Sequence, residues 1–468
     1  MASLLQVVPK APPPLDPGFR PAYLGNRNFE AACARSGAAV PLAFALEAAA
    51  GAVTRFETLA FPEKHPLSAE NLAYAERVVK FLLWSRGGWK LSVAGPKSVA
   101  LHLARAYSAR GSRSFDAKFM AGVYEKKAFV VRRLPLAALP RPKENSKAVG
   151  RHLDGCRIGF DAGGSDRKVA AVINGEEVFS AETVWNPKTE ADPRYHIEGV
   201  NDSIRQAAAH LPRIDAIGVS SAGVYVDGRC MVASLFRKVP PRLFEKRIKD
   251  IYKNLSQAWG GVPVAVANDG DVTALAGAMS LGEHSVLGLA MGTSQAAGYV
   301  DKRGFITGWL NELAFAPVDY QDAAPQDKEW SKDRGTGALY FSQDAVLRLA
   351  SGLGFPFKKD ASPAEKLKAV QDEFRRRPGG LSKIYKTMGT YLAYGILQYA
   401  RFYDIKHVLL LGRVCSGKGG PIMLETARAV MALEDPRSAK NIRLHLPDES
   451  TRRLGQAVVA ASLPMVKP

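Results

Sequence analysis

The first third of the chain alternates apolar and polar positions in a way that predicts a small mixed unit of strands and helices. The segments PLAFALE and VTRFETLAF have the period-two pattern of paired strands and predict a hairpin. SAENLAYAERVVKFLLWSR and SVALHLARAYSAR have the apolar spacing of helices, and the strand-like WKLSVAG lies between them. This part of the sequence therefore predicts an α+β unit.

Beyond residue 154 the pattern changes to short apolar runs that end in glycine or small polar residues. IGFDAGGSDRKVAAV and LGLAMGTSQAAGYVD each predict a strand, a Gly-rich turn and a second strand. From ALYFSQDAVLRLASG onward the spacing is mainly helical, with one late strand in HVLLLGRVCSGKGG. Strands mixed with helices of this kind predict an α/β fold.

The pattern also predicts where the chain divides. We expect an irregular Pro-rich arm over residues 1–20, an accessory α+β unit over 21–138 and a polar linker over 139–154. Two further lobes are expected over residues 155–270 and 271–468. The sequence leaves open whether the final helix crosses back to the first of these lobes. A length of 468 residues suits several domains, because single cores rarely grow beyond about 250–300 residues.

Composition narrows the class of protein. The sequence is 47% hydrophobic and 23% charged, which is typical of a globular protein. Its four cysteines form no CxxC pair, which argues against a disulfide framework or a Cys-based zinc site and favours a reducing compartment. No export signal is recognisable, and no run reaches the ~20 apolar residues of a membrane helix. We expect a cytoplasmic protein.

The formal charge of +19 admits two explanations, a nucleic-acid partner or a basic surface that favours anionic ligands such as nucleotides. The basic residues are spread along the chain, in runs such as 238–249 and 375–377, without an arginine-rich tail. Such runs are typical of solvated helix faces. The charge pattern therefore argues against a nucleic-acid partner.

The two predicted strand–turn–strand segments share a turn of glycine and hydroxyl residues. In such a turn, backbone N–H groups and a hydroxyl can approach a phosphate where a Cβ would obstruct it. Each turn alone is typical of an ordinary hairpin. Together they predict a triphosphate site made by Gly163, Gly164 and Ser165, which we call the first glycine turn, and Gly292, Thr293 and Ser294, the second glycine turn.

The order of these motifs resembles that of the ROK sugar kinases. An acidic first hairpin with Asp161, the pair Asn268–Asp269, the second glycine turn and the late LLLGRVCSGKGG follow each other as that family's motifs do, over residues 155–465. The resemblance implies a two-lobed, ribonuclease-H-like (actin-like ATPase) α/β fold, here with an additional N-terminal unit. It also implies a carbohydrate kinase that uses ATP and Mg²⁺.

The resemblance assigns roles to the acidic residues. Asp269 corresponds to the family's general base, Asn268 to a substrate ligand, and Asp161 to the carboxylate that holds Mg²⁺ through water. Transfer of a phosphoryl group to a hydroxyl needs a carboxylate within reach of that hydroxyl. The alternative is that Asp269 or Asp271 caps the helix that begins there, and Asp271 is the better candidate for capping.

The resemblance also assigns residues to the sugar-binding and adenosine-binding parts of the site. FITGWLNELAFAPVD resembles the family's sugar-binding segment, with Glu312 as the residue that holds sugar hydroxyls and Asn186 in a loop that reaches over the sugar. The family's histidine is absent, with Phe315 or a neighbour in its place, and its zinc-binding cysteines are missing, so we expect no structural zinc. The adenosine-side turn corresponds to Gly412, Ser416 and Gly417.

Two other functions stay open. One is a sugar-responsive transcription regulator of the same group, although the strand WKLSVAG interrupts the consecutive helices that a helix-turn-helix needs. The other is a sugar- or nucleotide-binding protein that has lost turnover. The sequence leaves open which sugar is used, the role of the N-terminal unit and whether the protein is a homodimer.

Overall fold

The computed structural model describes residues 3–144, 149–377, 379–447 and 455–466. The chain divides into two compact units, each made of three segments. Unit 1 contains residues 1–145, 289–297 and 309–446, and unit 2 contains residues 146–288, 298–308 and 447–468. Among the described residues, no helix has the length and apolarity needed to cross a bilayer.

The N-terminal part of unit 1 is a four-stranded sheet covered by helices. Its elements are α1 (Ala22–Arg35), β1 (Val40–Glu47), β2 (Val53–Ala60), α2 (Glu70–Arg86), β3 (Lys90–Ala94), α3 (Lys97–Ala106), α4 (Ser114–Val123) and β4 (Val130–Arg133). The strand order is β2-β1-β3-β4, with β1 antiparallel to β2 and β3, and β3 parallel to β4. The predicted hairpin, helices and intervening strand are confirmed.

Unit 2 is built on a five-stranded mixed sheet. Its elements up to residue 281 are β5 (Cys156–Ala162), β6 (Asp166–Ile173), β7 (Glu176–Val184), α5 (Pro193–Ala208), β8 (Ala216–Ser221), β9 (Val224–Val226), β10 (Arg229–Val232), α6 (Pro241–Leu243), α7 (Ile251–Ala258), β11 (Val264–Asn268) and α8 (Asp269–Leu281). The order is β11-β8-β5-β6-β7, in which β5, β8 and β11 are parallel and β6 is antiparallel to both β5 and β7.

The remaining elements are β12 (Val286–Met291), β13 (Gln295–Val300), α9 (Gln343–Gly352), α10 (Pro363–Arg376), α11 (Ser382–Tyr399), β14 (His407–Leu411), α12 (Gly419–Glu434), α13 (Pro436–Asn441), β15 (Arg443–His445) and α14 (Gln456–Ala461). Of these elements, β12 and β13 have residues in both units, α9 to β15 belong to unit 1 and α14 belongs to unit 2. The strands of this group form a second sheet with the order β13-β12-β14-β15.

Helix α14 belongs to unit 2 and packs on β5 and β8. Glycines make this packing feasible. A Cβ on Gly159 would lie 1.6 Å from the carbonyl oxygen of Ala457, and one on Gly218 would lie 1.6 Å from that of Ala460. The C-terminal end of the chain therefore returns to the sheet of unit 2, an arrangement that the sequence had left open. The predicted last lobe, residues 271–468, differs from this division, in which residues 309–446 belong to unit 1 and α14 belongs to unit 2.

The N-terminal region is not a unit of its own. Residues 3–144 share unit 1 with residues 309–446, and Tyr320 lies in the same hydrophobic core as α1, α2 and β1. The predicted arm is irregular but anchored: Phe19 packs against Tyr391 at 4.9 Å between ring centroids, and the Tyr391 hydroxyl donates to Asp16 at 2.6 Å. Of the predicted linker, residues 145–148 lie outside the described part of the chain.

Candidate functional site

The sheet of unit 2 brings the predicted acidic residues to one edge. Strands β5, β8 and β11 are parallel neighbours, so their carboxyl ends lie side by side. Asp161 pairs in register with Ser220, and Ser221 pairs with Asn268, which is followed by Asp269. Ligands of open α/β sheets bind outside the carboxyl ends of the strands. The structure therefore brings Asp161, Asn268 and Asp269 together.

Asp161 is a buried carboxylate, only 5% exposed. The Ser220 hydroxyl donates a hydrogen bond of 2.7 Å to its Oδ1. Burial, together with the negative charge of Asp269, raises the pKa of Asp161 to about 6, against the opposing effects of the Ser220 hydrogen bond and of Lys168. Carboxylates with raised pKa values cluster at sites that bind cations or transfer protons.

Asp269 begins helix α8, and the capping role falls to the residue before it. The Asn268 side chain accepts from the Gly270 N–H at 2.8 Å and donates to the Gly223 carbonyl at 2.8 Å. Burial raises the pKa of Asp269, while the Gly270 N–H and the charge of Lys188 lower it. Because Asn268 caps the helix, Asp269 keeps an oxygen available for other contacts.

The expectation that Asp271 caps this helix is wrong. Asp271 is buried, and its Oδ1 accepts from the backbone N–H of Tyr299 in β13 at 3.1 Å. The side chain therefore stabilises the neighbouring strand of unit 2 instead of the first turn of its own helix.

The first glycine turn joins β5 to β6 and is held by the loop that follows β7. The Trp185 indole N–H donates to the Gly163 carbonyl at 2.9 Å, and the Trp185 backbone N–H donates to the Ser165 carbonyl at 3.1 Å. Gly164 and Ser165 are exposed, and the Ser165 hydroxyl donates to Asp166 at 2.9 Å. Asn186 is also exposed, next to Trp185 in sequence, and its backbone N–H donates to the Tyr195 hydroxyl at 2.9 Å.

Lys188 is a residue of this region that the sequence did not single out. A Cβ on Gly164 would lie 2.7 Å from the Lys188 Nζ, so the ammonium group is packed directly against the first glycine turn. Lys168 of the neighbouring strand β6 instead ion-pairs weakly with Asp166 and Glu182 at 3.7 and 4.0 Å. No periodic signal marks Lys188, because it stands in a loop.

In unit 1, the second glycine turn lies against the turn that follows β14. Gly412 has a φ of +92°, and a Cβ there would lie 2.3 Å from the Met291 carbonyl oxygen. Thr293 and Ser294 are exposed, and the Gly292 N–H donates to the Ser294 carbonyl at 3.0 Å. The structure thus brings together two motifs that are separated by about 120 residues in the sequence.

An open pocket adjoins the predicted adenosine-side turn. Its lining contains Ser416 and Gly417, two of the residues of that turn, and six further residues: Gln371, Phe374, Arg375, Tyr385, Lys418 and Gly419. Gln371 Nε2 donates to the Arg413 carbonyl at 2.8 Å, which holds α10 against this turn. The buried hydroxyl of Tyr385 has no hydrogen-bond partner among the described residues, which marks it as a candidate ligand contact.

The segment that carries Glu312 packs on the N-terminal region of unit 1. Phe315, which stands in the position of the family's histidine or beside it, stacks on Trp84 of α2 at 4.2 Å between ring centroids. The Asn311 N–H donates to the Ser85 carbonyl at 3.1 Å. Glu312 itself is partly buried. The N-terminal region therefore supports the segment predicted to bind sugar.

Within the described ranges, no group of three or more His, Cys, Asp and Glu side chains is arranged to hold a metal ion. The buried carboxylate of Asp161 suits a hard cation that keeps most of its water ligands, as Mg²⁺ does. The predicted roles of the individual site residues remain predictions.

Comparison with known proteins identifies the fold. No family model and no curated protein matches the sequence. The structure is similar to the ROK hexokinase from Thermus thermophilus, with 18% identity, a TM-score of 0.52 and coverage of 66% of this chain and 97% of that one. It is also similar to a ROK family transcriptional regulator, a homolog of the E. coli MLC protein, with 15% identity, a TM-score of 0.52 and coverage of 66% and 79%. The predicted ribonuclease-H-like, actin-like ATPase fold with additional N-terminal α+β structure is confirmed.

Proposed function

We propose that this chain is a divergent ROK-type kinase that transfers the γ-phosphoryl group of ATP to a hydroxyl of a sugar or sugar derivative. The observation that carries the proposal is the pair Asp161 and Asp269 at the carboxyl edge of the unit 2 sheet. The two carboxylates are close enough for the charge of Asp269 to raise the pKa of Asp161. Acidic residues placed in this way suit a cation and a general base.

The residues divide the chemistry between them. Asp269 accepts the proton of the attacking hydroxyl, and its raised pKa brings its basicity closer to neutral pH. Asp161 would hold Mg²⁺ through water, and the ion, when bound, supplies positive charge to the phosphate oxygens. The first glycine turn offers backbone N–H groups and the exposed Ser165 hydroxyl to the phosphates.

Unit 1, taken by itself, carries further groups that suit a nucleotide or a sugar. The exposed Thr293 and Ser294 offer hydroxyls to phosphate, and the pocket beside Ser416 has the aromatic and polar lining that an adenosine group needs. Glu312 offers carboxylate oxygens to sugar hydroxyls. A kinase of this kind would be a soluble cytoplasmic enzyme with a small-molecule substrate.

The first test is ADP release from the purified protein with Mg-ATP, measured by a coupled assay across hexoses, amino sugars and their derivatives. We expect at least one sugar to stimulate release and Asp269→Asn to lower kcat about 10²- to 10⁴-fold, because the base is lost. The matched control is Asp227→Asn, which changes an exposed turn carboxylate at a φ of +51° that asparagine also adopts.

A second candidate function is a sugar-responsive regulator, favoured by the similarity to the ROK transcriptional regulator. Against it, residues 40–133 contain the four-stranded sheet β2-β1-β3-β4, and β3 separates α2 from α3. The consecutive helices α3 and α4 are connected by residues 107–113, whereas a helix-turn-helix joins its helices by a turn of about 3–4 residues. Binding of sugar and ATP without sugar-stimulated ADP release would favour a regulator or a binding protein without turnover over the kinase.

A further inference from the structure

Lys188 lies beside the first glycine turn. In the part of the chain that the structure describes, its Nζ has no carboxylate within 4 Å and no hydrogen-bond acceptor, although the side chain is partly buried. Its methylene Cε and its Nζ would lie 2.9 and 2.7 Å from a Cβ on Gly164. Gly164 does not have a positive φ, so a Cβ at this position would meet the end of the lysine side chain without strain in the backbone.

The loop of residues 185–189, which we call the Lys188 loop, is fixed at several points. Trp185 holds it to the carbonyls of Gly163 and Ser165. The buried imidazole of His196 bonds through Nε2 to the Pro187 carbonyl at 3.0 Å, and Arg237 donates to the Lys188 carbonyl at 3.2 Å. The backbone that carries the Lys188 side chain is therefore held in place beside the first glycine turn.

The surroundings of Lys188 point to an anionic ligand. The exposed backbone of the first glycine turn lies against the ammonium group, and the charge of Lys188 lowers the pKa of Asp269. A cation that lies beside the turn proposed to bind phosphate, and whose charge acts on the proposed base, suits the place where charge develops during phosphoryl transfer.

We propose that Lys188 is a further catalytic residue, whose ammonium group donates hydrogen bonds to the oxygens of the phosphoryl group in transit. The proposal rests on the kinase function proposed above. In that step the substrate hydroxyl oxygen forms a bond to the γ-phosphorus and its proton passes to Asp269. The bond from the γ-phosphorus to the bridging oxygen breaks, and ADP leaves with the electron pair. Lys188 keeps its proton and stabilises the charge.

The test compares Lys188→Gln with Lys168→Gln, which removes the same charge from the neighbouring strand β6. Calorimetry first measures the affinities for Mg-ADP and for a non-hydrolysable Mg-ATP analogue. We expect Lys188→Gln to weaken binding of the triphosphate analogue roughly 10- to 100-fold and to leave ADP affinity unchanged, because one charge-assisted contact to the terminal phosphate is lost. Lys168→Gln should leave both affinities near those of the wild type.

Turnover and a second variant give independent readouts. With an active sugar, Lys188→Gln should lower kcat at least about 10-fold with little change in the KM for sugar, and Lys188→Arg should restore part of the loss. Gly164→Ala places a methyl group where the ammonium packs, so it should reproduce part of the defect and cost little more when combined with Lys188→Gln. Circular dichroism and thermal unfolding show whether each variant is folded.

The outcomes separate the two proposals. If the wild type shows no sugar-stimulated turnover but Lys188→Gln loses its preference for the triphosphate, the kinase function fails and the phosphate contact stands. If the wild type turns over sugar and Lys188→Gln behaves like Lys168→Gln in both assays, Lys188 has no catalytic role. Additive effects of Gly164→Ala and Lys188→Gln would also contradict the proposal.

Discussion

The buried carboxylate of Asp161 should destabilise the folded protein at neutral pH. Its folded pKa of about 6 lies above the ordinary value of 3.8, so the folded state binds the proton more tightly than the unfolded state does. Stability therefore falls as the pH rises from 3.8 to about 6 and is level above that range. A shift of about two pKa units corresponds to about 3 kcal/mol, because each unit is worth about 1.4 kcal/mol.

Asp161→Asn tests this reasoning because asparagine has the same shape, carries no charge and can still accept the Ser220 hydrogen bond. In metal-free buffer, we expect the variant to be more stable than the wild type by about 3 kcal/mol at pH 7.5 and by little at pH 4. Urea unfolding followed by far-UV circular dichroism measures the difference, and Asp227→Asn, on an exposed turn, is the control.

With Mg-ADP present, the wild type should become more stable than Asp161→Asn. A ligand that binds the folded state stabilises it more the tighter it binds, and only the wild type keeps the carboxylate proposed to hold Mg²⁺. The reasoning is refuted if Asp161→Asn is no more stable than the wild type at pH 7.5, or if the difference between them is the same at pH 4 and pH 7.5. A gain in stability on loss of Asp161, together with weaker Mg-nucleotide binding, is the pattern of a residue kept for function.

Two further changes test the packing that supports the site. Gly218→Ala should lower the free energy of unfolding by at least about 3 kcal/mol, because the new Cβ would meet a backbone carbonyl of α14 at 1.6 Å. The control is Gly122→Ala in α4, where a Cβ has open space. In the same urea titration this variant should be as stable as the wild type or more stable. Phe315→Leu should raise the KM for sugar about 2- to 10-fold and leave the KM for Mg-ATP unchanged, because the stack on Trp84 supports the segment that carries Glu312. Equal changes in the two KM values would contradict this prediction.

Much of the candidate site follows from the local pattern. The alternation of apolar residues predicts β5 and β6, and the Gly-rich turn between them fixes where the hairpin reverses. Asp161 stands at the end of the strand, and Asn268–Asp269 stands where β11 gives way to α8. Period-two patterns, turn residues and helix-start signals act over a few residues, so they can be recognised without the tertiary structure.

Other parts of the site depend on contacts between distant segments. Nothing in the sequence places Lys188 against Gly164, 24 positions earlier, because a loop lysine has no periodic signal. The lining of the adenosine-side pocket joins α10, α11 and the turn after β14, and Tyr385 is recognisable only through its unpartnered hydroxyl. Such contacts are decided by how side chains from separate elements pack.

The sequence by itself determined the order of the elements, both glycine turns and the acidic residues at the strand ends, because each depends on short-range backbone conformation and alternation. Only the tertiary structure decided the division of the chain, in which residues 3–144 share unit 1 with residues 309–446, and α14 joins unit 2. The physical reason is that the apolar pattern of an amphipathic element shows which of its faces is buried. Which other element covers that face depends on how well the two surfaces fit each other. Gly159 and Gly218 are examples, because the need for glycine at these positions is recognisable only once α14 is seen to pack against them.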